Sequence, residues 1–210
     1  MKLFVNYLFH FYKFLNINSR RFEKKIMKNQ LLALLIFFSQ SVFPQSGNPE
    51  LVISKERIDP GIIFVFEGAI KDHIMPSSMH LSENETHVHI EARVNWDIVD
   101  IPSGAIMNGF IPYLYINTKL VNETTGLSTF IDLVPHINLI DNFHYARNIS
   151  LPGSIDDFYT VHFNIIPPSK IDLSLHKDWT EKYGNEFLKE LSFKYQNINF
   201  KEIANATRKQ

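Results

Sequence analysis

His87, His89 and Glu91 occupy every second position of Thr86-His87-Val88-His89-Ile90-Glu91. That spacing puts the three polar side chains on one face of an extended strand and Val88 and Ile90 on the other. Same-face neighbours on a strand stand about 7 Å apart at Cα, near enough for imidazoles and a carboxylate to lean onto one ion. Taken alone, His-x-His is short enough to arise by chance on a solvated strand face. The chain holds nine histidines and no cysteine, and His10 is the one histidine that precedes residue 46. Any metal must therefore be held by His, Met, Asp or Glu, a donor set that suits late first-row ions and that an oxidising compartment leaves intact. Neutral imidazoles are needed for binding, so protonation near pH 6–7, the range of an ordinary histidine, is expected to compete with the metal. His162, set between Val161 and Phe163, reads as a strand histidine rather than a ligand.

Holding such groups in place requires strands, and the chain supplies them. Apolar runs rich in β-branched and aromatic residues recur between turn signals. Gly61–Gly68, Thr86–Asp97, Pro112–Val121, Leu127–Val134, Tyr145–Ile149, Phe158–Ile166 and Glu190–Tyr195 are expected strands, with Asn122-Glu123-Thr124-Thr125-Gly126 as a hairpin turn. Trp179–Lys189 is the one segment with helical character. Short strands with few helices predict an all-β fold, an immunoglobulin-like β-sandwich of two sheets.

Upstream, Met27-Lys28-Asn29-Gln30 leads into Leu31–Phe38 and then Ser39-Gln40-Ser41, the basic, apolar and small-residue parts of a secretory signal. The apolar run is too short to span a bilayer. Residues 1–45 are thus expected to be an N-terminal extension and signal peptide, with Met27 as a candidate true start, and 46–210 a single metal-binding domain. The whole chain has 21 basic and 22 acidic residues. Residues 1–45 hold 7 of the basic and 1 of the acidic ones, leaving 14 against 21 and a net charge of −7. That balance repels nucleic acid and anionic membrane and draws cations. No nucleophile elbow or glycine-rich phosphate loop occurs, which removes the hydrolase and nucleotide-binding classes that depend on them.

The other histidines lie in motifs that follow a fixed order. These are Phe110-Ile111-Pro112-Tyr113-Leu114, Pro135-His136, Asp141-Asn142-Phe143-His144-Tyr145-Ala146-Arg147-Asn148, Leu151-Pro152-Gly153, and Pro167-Pro168-Ser169-Lys170 followed by His176. In order and spacing they resemble the periplasmic iron transport proteins of bacteria, from about Gly61 to Tyr195. The resemblance implies a periplasmic homodimer of immunoglobulin-like domains, each with a surface site for copper and iron ions, serving an inner-membrane iron permease. It carries the family's His-x-Glu pair onto His89 and Glu91, its His-Tyr histidine onto His144 and its late histidine onto His176. The family's methionine ligand falls nearest His136, with one residue more before His144. There an imidazole replaces a thioether, which shifts preference from cuprous towards cupric or zinc ion. Met75 and Met79, in a loop that otherwise reads as a surface connection, are the alternatives, and His87 is a further neighbour of the site. Arg147 adds a positive charge where the family pattern has none. The reading is of a metal carrier rather than an enzyme. A copper-dependent oxidase of ferrous iron would use the same ligands, and an adhesion domain with incidental histidines would bind no metal.

Overall fold

The alternation in the sequence becomes eight strands in a computed structural model that describes residues 49–208. They are β1 (Glu50–Ile58), β2 (Ile62–Ala69), β3 (Val88–Trp96), β4 (Tyr115–Asn122), β5 (Ser128–Asn138), β6 (Asn142–Ile149), β7 (Phe158–Ile166) and β8 (Leu191–Asn199). Two short helices, α1 (Lys177–Tyr183) and α2 (Lys201–Asn205), flank β8. The fold is all-β. The helix expected over Trp179–Lys189 begins earlier and stops at Tyr183, because Gly184 turns the chain with a φ of 96° that side-chain-bearing residues rarely adopt. The expected leader lies outside the described residues. Among those described, no helix is long and apolar enough to cross a membrane.

All eight strands join one antiparallel sheet in the order β1-β2-β3-β6-β5-β4-β7-β8. β5 is what bends it. Ser128–Leu133 pair with β4, whereas Val134–Asn138 pair with β6, so the strand passes from one half of the sheet to the other along its length. Pro135, which has no N–H to give, falls in a stretch with one neighbouring strand, the setting in which strands tolerate proline. The curl brings the outer strands together, where the Tyr195 hydroxyl of β8 donates to Glu56 Oε1 of β1 at 2.8 Å.

The inner face is filled by the apolar alternates. Val88, Ile90, Ala92 and Val94 of β3 are fully buried. Phe66 of β2 stacks on Phe163 of β7 with ring centroids 4.1 Å apart and lies 5.5 Å from Phe193 of β8, joining the two halves of the sheet. Such pairs add roughly 0.5–1.5 kcal/mol each beyond the area they bury. Phe66→Ala should therefore cost about 3–5 kcal/mol in urea unfolding. A loss below about 1 kcal/mol would mean that the two halves are held together elsewhere.

Tyr145 anchors the long connection between β3 and β4. Its hydroxyl donates to Ile111 O at 2.8 Å and accepts from Leu114 N–H at 3.1 Å, and burial pushes its pKa to about 12. The neighbouring residues of β6 are thereby fixed on the outer face, where the polar residues gather.

Candidate metal centre

The outer face of β3, β6 and the second half of β5 carries the polar set that the inner face excludes. His136 stands directly across from His144 in the β5–β6 ladder, and His89 across from Asn148 in the β3–β6 ladder. The result is that His89, His136 and His144 each offer a nitrogen within 4.8 Å of the others. The rings of His89 and His136 are stacked at 5.3 Å, and His144 meets His136 edge-on at 5.9 Å. Glu91 follows His89 on the same face, with Oε1 at 3.6 Å from His89 Nε2. The centre is not a solvated surface: His89 is 3 % exposed, His144 2 % and Glu91 6 %.

Hydrogen bonds fix which nitrogen faces the centre. The Asn148 amide donates through Nδ2 to Asp72 O at 2.8 Å and Leu81 O at 2.9 Å, so its Oδ1 is turned to His89 Nδ1 at 2.8 Å. An amide oxygen only accepts, hence Nδ1 of His89 carries the proton and Nε2 presents a lone pair. His144 Nδ1 lies 3.1 Å from Asn142 O, again an acceptor, and its Nε2 is likewise left as the donor to a metal. This is the supporting arrangement that ligating histidines ordinarily have. Both ring nitrogens of His136 are buried with no hydrogen-bond partner among the described residues. Ring nitrogens buried in that state lack compensation for lost hydration, which a bound cation would supply.

Burial also sets the protonation states. It lowers the pKa of His89 to about 4, against the opposing hydrogen bond from Asn148. His136 falls to about 3, through burial first and then the neighbouring His89 and His80, and burial lowers His144 as well. Glu91 moves the other way, to about 8, through burial and then the nearby carboxylates of Asp141, Glu67 and Glu50. Near neutral pH the cluster is thus a set of uncharged imidazoles beside a protonated carboxyl, and the 3.6 Å approach of His89 to Glu91 is not an ion pair. The competition expected at pH 6–7 from ordinary histidines is displaced by burial to more acidic values. In the metal-free protein, histidines whose pKa falls on folding destabilise the fold as pH drops from about 6.5 towards 4. Thermal midpoints of the apo form should fall through that window. A flat profile would show that the rings are solvated.

Other residues expected at the site fall elsewhere. His87 Nδ1 accepts the Leu151 N–H at 3.0 Å, and His87 is not in the three-histidine group. His176 is the exposed N-cap of α1 and is not in the three-histidine group. Met75 and Met79 are exposed. His80, for which the sequence carried no ligand motif, is beside the cluster, its ring edge-on to His136 at 5.0 Å.

The sequence profile of the Fe2+ transport proteins matches residues 47–202. The chain belongs to the Fe2+ transport protein family. No curated protein matches the sequence. Among solved structures, this family member is similar to FetP of uropathogenic Escherichia coli, at 24 % identity over 72 % of this chain and 96 % of that one, with a TM-score of 0.59. A copper-bound glutamate-to-glutamine variant of the same FetP aligns at 22 % identity over 72 % of this chain and 99 % of that one, with a TM-score of 0.57. Copper-reconstituted P19 of Campylobacter jejuni aligns at 21 % identity over 77 % of this chain and 99 % of that one, with a TM-score of 0.59. At these identities the likeness establishes the fold that this Fe2+ transport protein shares with them.

Proposed function

We propose that the chain is a periplasmic metal-binding protein that holds copper and iron ions at His89, His136 and His144, with Glu91 as a carboxylate ligand, and passes iron to an inner-membrane permease. The observation that carries this reading is the convergence of three imidazoles from three strands, two buried and one half-buried, with the outward nitrogen of the two buried rings fixed as a lone pair. Membership of the Fe2+ transport protein family and the copper-bound state of the FetP and P19 structures support the choice of metals. Glu91 adds a hard oxygen to the nitrogens, which suits ferrous iron better than nitrogen alone.

A homodimer belongs to the same reading. Ile137, Leu139 and Ile140, at the β5–β6 turn next to His136, are exposed apolar side chains of the sort that mark interaction surfaces. His176, exposed and outside the three-histidine group of its own chain, would serve as a ligand to the centre of a second copy. Light scattering should give twice the chain mass, and a monomer at micromolar concentration would remove both the dimer and His176. The fold is read as an immunoglobulin-type sandwich. Support comes from the passage of β5 between sheet halves and from Tyr159 near the start of β7, whose hydroxyl donates to Ser154 O at 2.7 Å in the manner of a tyrosine corner.

Iron uptake into cells that express a cognate permease is the test. Uptake should require this chain and fall to background when His136 and His144 are both changed to alanine. Undiminished uptake by that double variant would end the reading. A ferrous oxidase is the second possibility, because three protein nitrogens leave coordination positions open to a substrate. Oxygen consumption beyond one equivalent per site during ferrous addition would favour it.

A further inference from the structure

Residues 70–82, the first part of the connection between β2 and β3, cross beside the centre, and one of their side chains lies against the strand ligands. His80 meets His136 edge-on at 5.0 Å. Its Nδ1 is buried with no hydrogen-bond partner among the described residues, as are both ring nitrogens of His136. An imidazole always has at least one N–H and, when neutral, one lone pair to satisfy. Two adjacent rings with three unpartnered buried nitrogens are therefore an unusual expense unless something occupies the space between them and the cluster.

The backbone on both sides of His80 is held to β6. Arg147 Nη2 donates to Met79 O at 2.8 Å, immediately before it, and Asn148 Nδ2 donates to Leu81 O at 2.9 Å, immediately after it. The same Asn148 amide group reaches Asp72 O at 2.8 Å, and the Asp72 carboxylate meets Arg208 at 2.8 Å, so the start of the loop is tied down as well. Asn148 thus performs two tasks with one side chain. It orients His89 through Oδ1 and clamps the His80 loop through Nδ2.

We propose that His80 is a further nitrogen ligand of the metal centre, delivered by the 70–82 loop, and that Arg147 and Asn148 are its positioning residues. The inference rests on the metal-binding reading and extends it to a residue outside the strands. His80 is not in the group whose nitrogens already lie within 4.8 Å of one another. It reaches the ion by a shift of the side chain, which a loop allows more readily than a ladder does. With His89, His136 and His144 it makes four imidazoles, the nitrogen-rich set that a cupric ion prefers. Arg147, whose charge beside a cation site is otherwise unfavourable, is accounted for by its bond to the Met79 carbonyl.

Cupric ion added to the full protein tests this by electron paramagnetic resonance and competition titration. The wild type should show hyperfine coupling to four nitrogens. His80→Ala and His80→Gln should show three and bind about 10–100-fold more weakly, the range already seen on losing groups that merely support a ligand. Arg147→Ala should shift the spectrum in the same direction with a smaller loss of affinity, and Arg147→Lys, which can still donate to Met79 O, should restore it. Unchanged spectra and affinities within twofold in both His80 variants would overturn the proposal. Failure of the wild type to take up copper at all would instead overturn the metal-binding reading beneath it.

Discussion

His144→Ala should reduce cupric affinity by at least about 100-fold and destroy stoichiometric binding at micromolar protein. A four-ligand zinc site is worth roughly 10–16 kcal/mol, or about 3 kcal/mol for each ligand, and a tenfold change in affinity corresponds to 1.4 kcal/mol. His144 is chosen because its outward Nε2 is fixed by the contact of Nδ1 with Asn142 O and because it faces His136 across the ladder. The imidazole is buried, but removing it takes away a group whose ionised form the site already disfavours, so the fold should survive. Calorimetric titration at neutral pH checks the loss. An affinity within threefold of wild type would remove His144 from the ligand set. His136→Met, which restores a thioether at the neighbouring position, should raise cuprous affinity while weakening cupric binding.

The second large effect concerns proton release. With its pKa pushed to about 8, Glu91 is protonated at neutral pH, and an ion that takes its carboxylate must displace that proton. Affinity should then rise by up to tenfold for each pH unit between about 6 and 8, the slope that one released proton gives. His89 and His136, at about 4 and 3, are already neutral throughout that range and add nothing to the slope. Glu91→Gln keeps the shape of the neutral acid and cannot release a proton. The variant should fold as the wild type does, bind copper about 10–100-fold more weakly at pH 8 than the wild type, and lose the pH dependence. If the slope survives in Glu91→Gln, the proton comes from another group and Glu91 is not a ligand.

Much of this was legible in the sequence wherever a residue sits in a regular alternating run. Val88-His89-Ile90-Glu91-Ala92 declares both the strand and its two faces, and β7 runs over the expected Phe158–Ile166. The elements that escaped are those in which burial is weak or local. β1 has only half-buried and exposed residues, and α2 is five residues long, with Ile203 and Ala204 as its buried contribution. Neither has a pattern strong enough to stand out from loop. At the site, His89, His136 and His144 were found through motifs and are brought together by the β3–β6–β5 order, which no local pattern encodes. His80 had no such signal. Its place depends on an asparagine 68 positions later whose amide closes the loop, a relation that exists only in three dimensions. His87 differs from these: period two puts it on the polar face, but it precedes β3 and its Nδ1 accepts the Leu151 N–H.

Crystals soaked with copper and measured at the copper absorption edge would locate the ion held by His89, His136 and His144. One anomalous peak per chain is expected, about 2.0–2.1 Å from Nε2 of His89, Nε2 of His144 and a ring nitrogen of His136, distances typical of nitrogen bound to such ions. A peak located away from these three side chains, or none on the protein, would contradict their assignment as ligands.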